Sequence, residues 1–181
     1  MGRYLKFMIP MGLFVVLVIF FVVGLQNDPR MIPSPLIGKP APQFSLEDLH
    51  DPTRRVDNTK YKGKTYILNV WGTWCPECRV EQDAMLAIAR TRTVPIIGLD
   101  WKDDRNLALR WLQQLGNPYD EIAFDPEGQV AIDWGVYGAP ETFLVGPDGT
   151  ILYKRIGPMT WTVWQEEFLP LINGKAGKEP S

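Results

Sequence analysis

Histidine and cysteine are scarce in this sequence. Among 181 residues there is one histidine, His50, and there are two cysteines, Cys75 and Cys78. A multi-histidine metal centre built by this chain alone is excluded, and so is a four-cysteine cluster. A scaffold stapled by several disulfides is excluded as well. Neither sign of charge is in excess: 19 basic residues face 21 acidic ones, for a formal net charge of −2. Such a balance leaves no basic footprint for nucleic acid. No internal repeat is present. Charged residues make up 22% and hydrophobic residues 45%, ordinary globular proportions that exclude disorder over most of the chain. The length suits one domain plus an appendage.

The appendage is legible at the N-terminus. Residues 7–27, FMIPMGLFVVLVIFFVVGLQN, carry no charge. As a helix, the apolar part covers roughly 30 Å, the thickness of a hydrocarbon core. Arg3 and Lys6 precede the run, and Asp28 and Arg30 follow it. Positive charge ahead of a first span favours an inside N-terminus. A cleaved signal peptide is the alternative. Its apolar core is about 7–15 residues long and ends in a small-x-small site, and the following LQNDPRMIPSPL offers no such site. The expected organisation is a cytoplasmic N-terminus at 1–6, a transmembrane anchor at 7–27 and a linker at 28–36. A folded domain at 37–173 then lies across the membrane, with a disordered tail at 174–181.

The domain alternates strands and helices. IGKPAPQFSL reads as an entrance loop and a short edge strand, and EDLHDPTRRVDNTKYKGK as irregular and polar. Thr65–Trp71 and Val94–Leu99 are apolar, β-rich runs of buried-strand length. Pro76 to about Arg90 is helical, with Val80, Ala84, Ala87 and Ile88 as its apolar face. Asp104 is placed to cap a helix that carries Ala108, Trp111, Leu112 and Leu115 and stops at Gly116. EIAFD, a short helix at Val130–Trp134, and the pair ETFLV and TILYKRI around the hairpin signal GPDG follow. Thr162 and Gln165 match a capping box for a last helix with Trp164, Phe168 and Leu171 inward. Pro170 is expected to kink that helix or fray its end. One β-α-β unit, an antiparallel hairpin and a closing helix make a mixed-sheet α/β domain.

The chemistry sits at Trp74-Cys75-Pro76-Glu77-Cys78, directly after the first buried strand. Two cysteines two residues apart at a helix start can close a small disulfide ring. Cys75, at the helix N-terminus, meets free backbone N–H groups and the positive end of the dipole, which favour a thiolate. Pro76 fits the first turn because its missing N–H costs nothing there. Cys75 is therefore the expected nucleophile. Cys78, one turn in and more shielded, is the expected resolving thiol. The helix terminus is worth up to ~2 kcal/mol in favourable cases. Glu77 at ~6 Å opposes by about 0.7 kcal/mol in water. Glu81, on the same helix face as Cys78, also disfavours a thiolate, so the composition leans towards a reductant. Half a metal site, a two-thiol copper carrier and a weak structural disulfide are the competing readings. His50 reads as a surface residue. In GVYGAPETF, Pro140 before a buried strand is either a cis-proline or an ordinary trans proline.

LNVWGTWCPEC, the Lys102-Asp103-Asp104 run after a strand, WLQQLGNPY and GVYGAPETFLV together resemble the cytochrome c maturation thiol:disulfide oxidoreductases, the CcmG or DsbE family. The likeness covers roughly residues 37–171 and the anchor. It implies a thioredoxin-like fold, a bacterial inner-membrane anchor with the catalytic domain in the periplasm, and no cofactor. It implies a reductant that keeps the haem-binding cysteines of apocytochrome c reduced, directly or through a partner thiol protein. A transmembrane thiol carrier of DsbD or CcdA type is the implied electron donor. By matching position, Cys75 and Cys78 are the redox pair, Pro140 is the cis-proline facing it, and Glu81 and Glu141 are acids around it. Asn69 departs from general thioredoxins, which place a buried acid there. A general extracytoplasmic thiol oxidoreductase, a peroxidase-like protein, a copper carrier and a haem-delivery scaffold are the rival functions.

Overall fold

The computed structural model describes the backbone of residues 2–25 and 35–174, with side chains at 8–22 and 35–174. The chain divides into two compact units, Met1–Pro33 and Ser34–Ser181. The first contains α1 (Gly2–Leu25), a helix of 24 residues with Pro10 inside it. Its side chains from Met8 to Val22 are apolar and exposed. Among the described residues no helix is long and apolar enough to cross a membrane, because side chains are described for only part of α1. Most of the expected linker, and the expected tail beyond Gly174, lie outside the described residues.

The second unit is built on a seven-stranded mixed sheet: β1 (Ser45–Asp48), β2 (Arg55–Asp57), β3 (Tyr66–Trp71), β4 (Ile96–Trp101), β5 (Glu121–Asp125), β6 (Glu141–Val145) and β7 (Ile151–Ile156). Their order across the sheet is β2-β1-β5-β4-β3-β6-β7. β3, β4 and β5 run parallel, while β6 and β7 form an antiparallel hairpin beside β3. This is the mixed α/β arrangement the sequence pattern implies. β3 is buried at all six positions, the signature of a strand covered on both faces. The second expected strand starts two residues late, at Ile96. Pro95 has no N–H for the ladder, and only its carbonyl takes part, accepting from Ile67 N at 2.9 Å.

Two further expectations change along the edge. β1 is not the outer strand, because β2 pairs outside it. β2 hid inside a polar stretch since it turns only one apolar side chain inward, Val56. Asp57 then ends β2 and caps a 3₁₀ turn (Asn58–Tyr61), accepting from Thr59 N.

α2 (Pro76–Thr91) follows β3, and α3 (Arg105–Leu115) follows β4. The buried stripe of α2 is Cys78, Glu81, Gln82, Met85 and Ile88. Val80, read as inward from the sequence, is 73% exposed. Two polar residues occupy the true inner face and disguise it. Asp104 caps α3 as expected, accepting from Asn106 N and Leu107 N, and Gly116 ends it at φ +94°, a conformation that favours glycine. α4 (Gln129–Asp133) leads to the fully buried Trp134. The last helical run consists of α5 (Trp161–Val163), a π-helical turn (Trp164–Phe168) and α6 (Leu169–Ile172). Thr160, not the expected Thr162, supplies its cap by accepting from Val163 N at 3.1 Å. Pro170 falls in the first turn of α6, where a missing N–H is tolerated.

One sheet face packs Leu68, Val70, Phe143 and Val145 against Trp134. The other packs Ile67, Ile96 and Leu144 against Met85, Ile88, Trp164 and Phe168. A third cluster, at the strand ends, joins Trp71, Ala108, Trp111, Leu112 and Ile122 to Cys75 and Cys78. Gly98 in β4 lets that cluster close: a Cβ there would sit 2.9 Å from Trp71 Nε1 and 2.9 Å from Tyr119 Cγ. Gly98→Ala is expected to destabilise the domain by about 1–3 kcal/mol through overpacking. A lower urea midpoint with unchanged slope would show it.

Candidate active site

β3 ends at Trp71, and the chain turns through Gly72, Thr73 and Trp74 before Cys75 caps α2. Gly72 is required by contact: a Cβ there would lie 2.5 Å from Trp74 Nε1. The turn is held from outside by the β4–α3 loop. Thr73 N and Thr73 Oγ1 both donate to the Asp103 carboxylate, the latter at 2.6 Å. Trp74 Nε1 donates to Trp101 O at 2.9 Å. The sequence reading took the Lys102-Asp103-Asp104 run only as part of a resemblance. Its acids turn out to cap both the reactive turn and α3.

Cys75 and Cys78 are joined in a disulfide with their Cα atoms 5.3 Å apart. Cys78 N donates to Cys75 Sγ at 3.1 Å, which puts the first sulfur at the open end of the helix. The expected contrast in shielding is absent, since Cys75 is 2% and Cys78 3% exposed. Closing the ring draws both sulfurs into the same cluster. Trp74, Pro76 and Glu77 remain exposed around them. His50 is exposed on the surface, as read from its polar surroundings.

Below the ring lies a buried polar network. Glu81, one turn beyond Cys78 on α2, accepts from Asn69 Nδ2 at 3.0 Å and from Met159 N at 2.7 Å. Asn69 also donates to Thr142 Oγ1 at 3.0 Å and accepts from Tyr119 OH at 2.7 Å. Burial raises the Glu81 pKa to about 7, against the pull of its two hydrogen bonds; nearby Glu77 adds a smaller push upward. Burial also raises Tyr119 well above its ordinary value, with the charges of Glu81 and Asp100 adding to it. That phenol is therefore a donor. The acid that general thioredoxins carry on β3 is thus moved to the helix, where Asn69 bonds to it.

Asp100 is a second buried acid, and the sequence reading missed it. It is fully buried on β4 beside Trp71, its register partner on β3. Neither carboxyl oxygen has a hydrogen bond of ordinary geometry. Burial raises its pKa to about 9, and the neighbouring Asp103 raises it further than Arg105 lowers it. Nothing in the sequence marked it, because an acid at the end of an apolar strand looks like the start of a loop.

The Ala139–Pro140 peptide is cis. Ala139 packs against the cluster that contains both sulfurs, and Pro140 O accepts from Gly157 N at 2.9 Å. Glu141, expected among the acids around the thiols, is turned away from Glu81. Strand alternation decides this: Thr142 pairs with Asn69 and bonds to it, whereas Glu141 pairs with Val70 on the other sheet face. There the buried Glu141 carboxylate is 2.9 Å from Lys154 Nζ.

Residues 37–154 match the AhpC/TSA family. A thiol:disulfide interchange protein DsbE of Allochromatium vinosum is 47% identical over 96% of this chain and 96% of its own length. The protein of that name from Pseudomonas aeruginosa is 44% identical over 91% of each. Among solved structures, a secreted thiol-disulfide isomerase from Corynebacterium glutamicum superposes with a TM-score of 0.65 at 22% identity, over 74% of this chain and 85% of that one. Its likeness extends to the thioredoxin-like fold. The cysteine pair at a helix start, the proline opposite it and relatives matched over nearly their whole length lead to one assignment: the chain is a thiol:disulfide oxidoreductase of the AhpC/TSA family and belongs to the thiol:disulfide interchange proteins DsbE.

Proposed function

We propose that this oxidoreductase is a periplasmic reductant in cytochrome c maturation, held in the bacterial inner membrane by residues 7–27. It keeps the haem-binding cysteines of apocytochrome c reduced, directly or through a partner thiol protein. A transmembrane thiol carrier of DsbD or CcdA type returns the electrons. The observation that carries the reading is the Cys75–Cys78 ring at the start of α2 with the buried Glu81 carboxyl one turn below it. An acid there opposes a thiolate and so favours giving electrons away. The apolar helix α1, preceded by Arg3 and Lys6, supports the anchor. An oxidising periplasm demands continuing supply from the cytoplasm, and a tether raises the local concentration of the exchanging thiols.

In the reduced enzyme the Cys75 thiolate attacks a partner disulfide. One S–S bond breaks, a mixed disulfide forms, and one partner thiolate leaves. Cys78 then gives its proton to Glu81 and attacks Cys75 Sγ. The Cys75–Cys78 bond forms again and the second partner thiolate leaves, so two electrons have passed to the partner. Glu81 suits the task because its pKa of about 7 lets it both hold and release a proton near neutrality. Pro140 and Ala139 line the approach to the sulfurs.

Cys78→Ser is expected to accumulate mixed disulfides through Cys75 in cells, since the resolving thiol is missing. Non-reducing electrophoresis and mass spectrometry would identify apocytochrome c or a thiol protein of its assembly. Adducts confined to unrelated secreted proteins would instead favour general disulfide exchange.

Full-length protein is expected to stay with the membrane after a high-salt wash, and a chain lacking residues 1–27 to be soluble and redox-active. A mature N-terminus near residue 30 would refute the anchor.

Glu81 also links stability to pH. Its folded pKa of about 7 lies above the ordinary 4.5, so the native chain retains a proton that the unfolded chain has lost. Stability is full below the ordinary value, falls as pH rises towards 7 and then levels. The fall is about 3 kcal/mol for this group. Glu81→Gln is expected to flatten that segment of the curve and to remove the matching inflection from the rate of mixed-disulfide resolution.

A further inference from the structure

The loop from Trp134 to Pro140 approaches the sulfurs without belonging to the sheet, so something must hold it. Its N–H groups can be followed one by one. Gly135 N donates to Ile132 O at 2.9 Å, and Val136 N donates to Ala131 O at 2.9 Å. The next two leave the α4 region. Tyr137 N donates to Glu141 Oε1 at 2.9 Å and Gly138 N to the same oxygen at 3.3 Å. Glu141 Oε2 faces Lys154 Nζ at 2.9 Å, with the two side chains 0% and 1% exposed. Lys154 Nζ also donates to Gly135 O at 2.7 Å. It lies 4.4 Å from the centroid of the Tyr137 ring. An ammonium has three N–H donors, and a carboxylate, a loop carbonyl and a π face occupy them. The Tyr137 ring itself is 63% exposed.

A buried ion pair is weak evidence for stability, because desolvating two charges offsets their attraction. Its best-attested use is to select one arrangement among several. Here the arrangement selected is that of the loop residues next to Ala139. We propose that Lys154, acting with Glu141, is a positioning residue for polypeptide substrates: the pair locks Gly135, Tyr137 and Gly138 so that Ala139 and the exposed Tyr137 ring meet the chain around the partner's cysteine. A small disulfide needs only the sulfurs and is indifferent to the lock. This inference rests on the reading that the partner is a polypeptide carrying a Cys-x-x-Cys-His disulfide. It also reverses the role expected for Glu141, which holds the loop from the far face of the sheet and does not act on the thiols by charge.

The test compares two oxidised substrates, a small symmetrical aromatic disulfide and a short Cys-x-x-Cys-His peptide. Lys154→Met is expected to raise KM for the peptide about tenfold while kcat and the small-disulfide rate stay within about twofold. Lys154→Arg, which keeps the charge and the donors, is expected to restore the peptide KM. Equal loss on both substrates, or no loss on either, overturns the proposal. A parent chain active on the small disulfide and inert on the peptide sinks the cytochrome reading instead. In that case, or if Lys154→Met does not fold, amide exchange on the parent decides. Tyr137 and Gly138 amides are expected to be protected like those of β6, although they lie in a loop. Free exchange at those two positions would show that no lock exists.

Discussion

A parallel strand buried on both faces ends in backbone groups that need new partners, and in this chain a sulfur supplies one of them. Cys75 Sγ accepts the Cys78 N–H at the start of α2, where an ordinary helix would carry a serine or aspartate oxygen. The rest of the site depends on that substitution. The turn before the cap must be tight, hence Gly72 under the Trp74 indole. It must also be held in place, hence the Asp103 carboxylate on Thr73 and the Trp101 carbonyl on Trp74. With the first sulfur fixed at the helix end, the second falls one turn along, inside the same apolar cluster.

Three buried carboxyls surround this arrangement, and each is handled differently. Glu81 keeps two hydrogen bonds and titrates near neutrality. Glu141 is matched to a buried ammonium and works on backbone N–H groups. Asp100 has no such partner and is held protonated by burial. Separation by strand parity makes this possible. Neighbouring positions on one strand open onto different layers, so the acid next to the proline belongs to another environment than the acid beneath the sulfurs.

Much of the scaffold was legible because its strands are continuous apolar runs and its turns carry glycine and proline. The cysteine pair and Pro140 were legible from residue type and spacing. The inner face of α2 was not, because Glu81 and Gln82 occupy it and Val80 mimics it. β2 was hidden by having a single inward side chain. Glu141 was recognised as a residue of interest but given to the wrong face, since adjacency to Pro140 in sequence says nothing of the side on which a strand begins. Lys154 and Tyr119 gave no signal at all. A buried lysine in a charged edge strand and a tyrosine after a turn acquire meaning only when the sheet closes.

Asp100 shows what burial does to the identity of a side chain. Protonated at neutral pH, it offers the same inventory as an asparagine would: donor and acceptor groups of similar size and no charge. Acid and amide are therefore electrically interchangeable at this position, and a sequence could drift from one to the other without disturbing the field around the sulfurs. The ionic character of the β4–α3 loop at its contact with the reactive turn is left to Asp103.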